Sequence, residues 1–255
     1  MTFQGANIVL TGGSLGIGRQ LAQGLSARGA KLLVCARSEE QLKLLKNDHP
    51  EIATQMCDVR SDRDVEALRA EAEALFGEVN YLINNAALFR LIDLLAQDPA
   101  QHWLDEIDVN VRGTLRVTHA FLPLLQAASR ATVVNFTSGV AYVPVAEAPI
   151  YSASKAAIVS WTKSLRYQLR QTRVSVVEVS PPVVDTRMNE NNPTSAGRKK
   201  WSTAEFCKTV LDQLEKDPTR DILVGDGKAA KIMGRIAPGF TFRMMNPPGG
   251  RPAMD

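Results

Sequence analysis

The sequence predicts a doubly wound α/β domain, with a mostly parallel sheet of about seven strands and helices on both faces. Three observations predict it. Short, β-rich apolar runs alternate with amphipathic helical stretches. The first run leads straight into a glycine-rich turn and then a helix. Further along, a serine closes a β-rich run, at the strand end where open α/β sheets place their ligands.

The chain has 255 residues, enough for one large core, with 45% hydrophobic and 22% charged residues and a net charge of only +3. The densest basic cluster is Arg198-Lys-Lys200, read as a solvated loop, so nucleic acid is not implied. No apolar run approaches the ~18 residues of a membrane span, and the first strand begins too early for a signal peptide. Cys35, Cys57 and Cys207 are few and lack metal-ligand spacing. His49, His102 and His119 share no such spacing either, and no metal is expected. Buried, reduced thiols predict a cytoplasmic protein.

Taken in order, Ala6–Leu10 reads as the first strand, followed by Thr11-Gly-Gly-Ser-Leu-Gly-Ile-Gly18 and a helix over 19–28. Gly12 suits the tight turn, Gly16 a close approach of phosphate to backbone, and Gly18 close helix packing. The helix N-terminus then offers free N–H groups to phosphates. Lys31–Ala36 is the second strand and ends in Arg37-Ser38, where NAD-preferring folds place an acid. A guanidinium without a nearby carboxylate favours a 2′-phosphate, hence NADP. Ala53–Cys57 reads as a third strand leading to Asp58-Val59, 65–76 as a helix, and Val79–Ile83 as a fourth strand entering Asn84-Asn85-Ala86-Ala87. A long helix is expected from Asp98 to Leu125. Within it Asn110 has two readings, a core amide or a site residue at a local irregularity.

Thr132–Ser138 is another strand, ending at the Ser138 hydroxyl. Tyr151 and Lys155 stand four apart on the next helix and share a face. Alone, this spacing is weak, because it arises by chance on solvated helices. With Ser138 it suggests a hydroxyl that orients a carbonyl, a phenol that passes a proton, and an ammonium that lowers the phenol's pKa.

These motifs together resemble the short-chain dehydrogenases/reductases over roughly the first 190 residues. Residues 11–18 match TGxxxGxG; Asp58-Val59 match the adenine-side acid; Asn84–Ala87 match NNAG with Ala87 for glycine. Asn110, Ser138, and Tyr151 with Lys155 match the helix asparagine, the serine and YxxxK. Pro181–Thr186 match PGxxxT with Pro182 for glycine. The resemblance implies a Rossmann-like fold and catalysis by Asn110, Ser138, Tyr151 and Lys155, with Asn110 holding a water beside Lys155. It implies NADP(H) binding by Gly12, Ser14, Leu15, Gly16, Ile17, Gly18, Arg37, Ser38, Asp58, Val59, Asn84, Asn85 and Ala86 from the first half. Tyr151, Lys155, Pro181, Val184 and Thr186 complete that set. A homodimer or homotetramer is also implied.

The apolar residues around this site, Phe89, Val140, Tyr142, Val143, Pro144, Val183, Met188 and Trp201, suggest a hydrophobic ketone, aldehyde or 3-oxoacyl substrate. Carbonyl reduction is the leading reading. The alternatives are an NAD-linked alcohol dehydrogenase, which needs Arg37 to be merely solvated, and a non-catalytic NADP(H)-sensing regulator, which the retained tetrad disfavours. The tail brings an amphipathic helix over 203–215 and a last strand at Asp221–Gly225. The single domain is expected to span 1–225, followed by an apolar, basic helical extension over 226–245 that Pro238-Gly239 breaks in two. Packing on its own domain or a sister subunit is its expected role, with a membrane surface or a lid over a greasy substrate as the others. Residues 246–255 are expected to be disordered. The tail is similar to that of a bacterial branch of the family found near cell-wall D-alanylation operons, a likeness that names no substrate.

Overall fold

A computed structural model describes residues 2–95, 100–189 and 200–247. The strands are β1 (Asn7–Thr11), β2 (Lys31–Ala36), β3 (Ala53–Met56), β4 (Tyr81–Asn84), β5 (Ala131–Phe136), β6 (Val174–Ser180) and β7 (Ile222–Leu223). They form one all-parallel sheet in the order β3-β2-β1-β4-β5-β6-β7. The chain therefore reverses its direction of winding between β1 and β4, and a crevice opens at the carboxyl ends of those two strands.

Apart from the edge strand β3, the strands are buried on both faces, so their side chains divide between two cores by alternation. Leu10, Val34, Ile83, Val134 and Val177 point to one face. There they meet α1 (Gly16–Ser26), α2 (Glu39–Asp48) and α7 (Thr203–Lys216), which contribute Leu21, Leu25, Leu45, Phe206 and Val210. Their neighbours Val9, Leu33, Leu82, Val133 and Val176 point the other way. They pack on α3 (Asp62–Phe76), α5 (Thr114–Ala127) and α6 (Pro149–Leu169) through Leu68, Val117, Phe121 and Leu165.

The long helix expected over 98–125 is divided; its first residues lie outside the described ones. α4 (Ala100–Ile107) gives way to a π-helical turn, Asp108–Gly113, before α5. The turn ends on Gly113, which is pressed so close to Val59 that a Cβ there would lie 2.6 Å from its Cγ2. The wide turn swings Asn110 inward. At the other end, β7 is shorter than expected, and Val224 adds a hydrogen bond to the Ser180 carbonyl beyond it. Pro238 does divide the extension, into α8 (Gly227–Ile236) and α9 (Pro238–Met245). Asn246, placed by the sequence in a disordered tail, is tied to Ala146 N–H and the Pro144 carbonyl. Residues 248–255 of that tail and residues 190–199 lie outside the described residues. Among the described residues, no helix is long and apolar enough to cross a membrane.

Candidate active site

The glycine turn after β1 is built by close approach. Gly12 has φ +65° and Gly16 φ +53°, both favourable to glycine. A Cβ on Gly18 would lie 2.1 Å from the Gly12 carbonyl oxygen, so α1 meets the turn with no room to spare. Asn85 ties the arrangement: its amide donates to the Thr11 and Gly12 carbonyls at 3.1 and 2.9 Å. α2, α3 and α7 are capped by Ser38, Ser61 and Ser202, whereas α1 follows Leu15 with no side-chain cap. Its first N–H groups thus face a groove lined by Gly12, Leu15, Gly16, Ile17 and Gly18. A glycine cradle ending in an uncapped helix fits a pyrophosphate.

Ser138 lies two residues beyond the end of β5, and the Val140 N–H donates to its hydroxyl. Tyr151 and Lys155 lie on the first turns of α6. Lys155 is only 3% exposed and donates to the Phe136 carbonyl at 2.9 Å, with its ammonium 5.6 Å from the Tyr151 ring centre. Burial lowers its pKa to about 8, and Glu106 works the other way. The Tyr151 phenol is pushed well above its ordinary value by burial and then by Glu106, while Ser138 pulls it back. Sequence reasoning had the ammonium drawing the phenol towards neutrality. Here the ammonium is engaged with a carbonyl, and desolvation dominates.

Asn110 sits in the irregular turn as a core amide, and it lines neither the apolar cavity described below nor the glycine groove. It is buried; its side-chain carbonyl accepts from Leu88 N–H at 2.7 Å, and its amide donates to Leu88 carbonyl and Ser154 hydroxyl. It thereby fixes the loop after β4, and Phe89 in that loop packs edge-on against Tyr151 at 5.0 Å.

Beside this constellation lies an apolar cavity of about 260 Å³. Ser138, Tyr151, Phe89, Val140, Val143, Val183 and Met188 line it, as the sequence suggested. Its far wall was not foreseen as such: Ala230 and Met233 of α8 and Thr241, Met244 and Met245 of α9. Tyr151, Phe89, Thr186 and Met188 face both this cavity and the glycine groove, so the phenol stands on their shared wall.

Several predicted residues sit elsewhere. Tyr142 is not among the lining residues; its hydroxyl turns to buried Glu178, which also accepts from Thr137 and lies 3.5 Å from Lys231 of α8. Trp201 packs on the core under β6 and pairs with Val183 and Asp185 through its backbone instead of walling the cavity. Pro144 also lies off the cavity, holding Asn246 through its carbonyl. Asn84 is a core amide, donating to Thr118 and Asn135. Ser14 is buried within the turn. Ser38 caps α2. Arg37 is exposed at the end of β2. It acts on Asp58, whose carboxyl is raised by burial but held below its ordinary value by Arg60 and, more weakly, Arg37. Val59 is buried beside Gly113. Pro181 and Thr186 line the groove, while Val184 is buried and lines the apolar cavity instead. Ala87 tolerates its methyl because no described non-glycine residue has a left-handed backbone. Glu106, fully buried beside the tetrad, was missed: it stands four residues before Asn110 on a helix whose sequence looks amphipathic and ordinary.

The short chain dehydrogenase family model matches residues 6–196. The chain belongs to that family. An uncharacterized oxidoreductase of Bacillus subtilis, DltE, is 36% identical over 213 residues, covering 82% of this chain and 84% of that protein. A counterpart from Staphylococcus saprophyticus is 30% identical, covering 82% and 90%. Among solved structures, a short chain dehydrogenase from Burkholderia cenocepacia in complex with NADP is 28% identical, with a TM-score of 0.83 over 96% of this chain and 99% of that one. A tryptophan variant of actinorhodin polyketide ketoreductase with NADPH is 26% identical, with a TM-score of 0.78 over 88% and 97%. As a member of this family the chain is an oxidoreductase with a Rossmann-like fold.

Proposed function

We propose that this chain is an NADP(H)-dependent reductase of a hydrophobic ketone, aldehyde or 3-oxoacyl group. One observation carries the reading: Tyr151 stands on the wall common to a phosphate-fitting glycine groove and an apolar cavity. The similar structures that hold NADP or NADPH support the cofactor.

NADPH, when bound, supplies a hydride to the carbonyl carbon. The glycine turn and α1 N-terminus would hold its pyrophosphate, Arg37 its 2′-phosphate, and Lys155 its ribose. Ser138 orients the substrate oxygen by donating a hydrogen bond, at the end of the cavity where the phenol lies. Tyr151 keeps its proton across neutral pH, because burial and Glu106 both oppose phenolate. A protonated phenol is the form that serves as an acid, delivering its proton as the oxygen becomes an alkoxide. The methionines of α8 and α9 exclude water and adapt to varied apolar shapes.

The reading is tested by following NADPH consumption with a panel of aryl and alkyl ketones and 3-oxoacyl thioesters, beside small charged polyols with NADP⁺. Turnover of the apolar carbonyls that vanishes in Tyr151→Phe supports it. Turnover confined to the polyols sinks it.

A further inference from the structure

Glu106 is a buried carboxyl that touches neither substrate nor cofactor in the mechanism above. It is 0% exposed on α4, one helical turn before Asn110. One carboxyl oxygen accepts from the Arg90 N–H at 2.6 Å. The other is buried and, among the described residues, has no hydrogen-bond partner. Buried carboxylates without full pairing are costly, so such a group calls for an explanation.

Two structural relations supply one. Asn110 holds Leu88 through both its N–H and its carbonyl, and Glu106 holds Arg90 N–H, two residues on. Between these two clamps lies Phe89, whose ring meets that of Tyr151 at 84°. α4 also packs directly on α6, the helix that carries Tyr151 and Lys155. The charged and titratable groups facing Glu106 are Arg90 from the loop and Tyr151 and Lys155 from α6. Its neighbour Asp105 is engaged with Arg60 and Arg90.

We propose that Glu106 is a positioning residue of the reductase, resting on the function proposed above. One oxygen pins the loop that lays Phe89 against Tyr151. The other, left unpaired behind the Tyr151–Lys155 pair, sets by its charge the pH range over which that pair keeps both protons. As a carboxylate it holds Lys155 as the ammonium and Tyr151 as the phenol; as a neutral acid it releases that hold. In agreement, burial raises its own pKa to about 7, against weaker opposing effects of Arg90 and Lys155.

The test compares the full-length wild type with Glu106→Gln and Glu106→Leu. Gln keeps an acceptor for Arg90 but removes the charge; Leu removes both. The first readout is Tm against pH from 5 to 8.5 without cofactor. A carboxyl raised in the folded state contributes stability that is present at acid pH and lost as pH rises through about 7. The Tm of Glu106→Gln should therefore gain on that of the wild type as pH rises across this window, and Glu106→Leu should lie below Glu106→Gln throughout. The second readout is the NADPH dissociation constant against pH. Without the carboxylate, the alkaline loss of affinity should move down by about one pH unit. Parallel Tm curves would overturn the ionisation, and superimposable affinity profiles would overturn its coupling to Lys155. Failure of NADPH to bind at any pH would refute the function proposed above, while the Tm curves would still judge Glu106.

Discussion

Replacing Gly18 with alanine tests the cofactor turn where its geometry is tightest. The new Cβ would lie 2.1 Å from the Gly12 carbonyl oxygen, 2.8 Å from Gly13 Cα and 2.7 Å from the Asn85 amide. Two of those three neighbours are backbone, so neither can rotate away. Either α1 retreats from the turn or the turn itself shifts, and forced overpacking of this kind costs about 1–3 kcal/mol. For a chain of this size that corresponds to a fall in Tm of roughly 2–12 °C. The shift also breaks the line between the cradle and the uncapped N–H groups, so NADPH affinity should fall at least about ten-fold, equivalent to ~1.4 kcal/mol. Gly239→Ala is the control, because a Cβ there meets nothing within 4 Å and the residue lies in the first turn of α9. Differential scanning fluorimetry and NADPH fluorescence read both effects. A Gly18→Ala protein that matches Gly239→Ala in Tm and in NADPH affinity would refute the close approach.

Tyr151→Phe should lower kcat by about 10²–10⁴-fold with NADPH affinity little changed, measured by steady-state reduction of the best ketone. Met233→Trp puts an indole into the cavity wall that α8 supplies. It should raise KM for bulky ketones about ten-fold while leaving the NADPH dissociation constant alone. Lys155 has its pKa lowered from 10.5 to about 8, so a destabilising contribution is fully present below pH 8 and relieved as pH rises towards 10.5. Without cofactor, Lys155→Met should therefore exceed the wild type in stability at pH 7 by on the order of 3 kcal/mol, an advantage that shrinks above pH 8 in denaturant titrations. Glu178→Leu removes the shared partner of Thr137, Tyr142 and Lys231 and should loosen α8, lowering Tm and widening substrate tolerance in the same ketone panel.

The sheet and most of the site were legible because their signals are local. Apolar runs such as Leu32–Cys35 are buried on both faces and need no partner to be recognised as strands. The glycines of residues 12–18 announce a turn whose geometry only they allow. What the sequence hid depends on contacts made across the fold. The π turn at Asp108–Gly113 ends where Gly113 meets Val59, some fifty residues away. Tyr142 is next to the site in sequence but is drawn off it by Glu178 on β6. The far wall of the cavity comes from α8 and α9, whose methionines read equally well as a packing face. Glu106 reads as one more acid on an amphipathic helix until α4 is seen to bury it beside α6.

On the proposed function, the groove after β1 takes NADP(H) and Arg37 selects its 2′-phosphate. Fluorescence titration of the wild type and of Arg37→Ala with NADPH and NADH tests it most directly. Charge-assisted hydrogen bonds to the phosphate predict at least about ten-fold tighter binding of NADPH than NADH in the wild type. That preference should be erased in Arg37→Ala through loss of NADPH affinity alone. Equal affinity of the wild type for the two nucleotides, or an unchanged preference in Arg37→Ala, would contradict it.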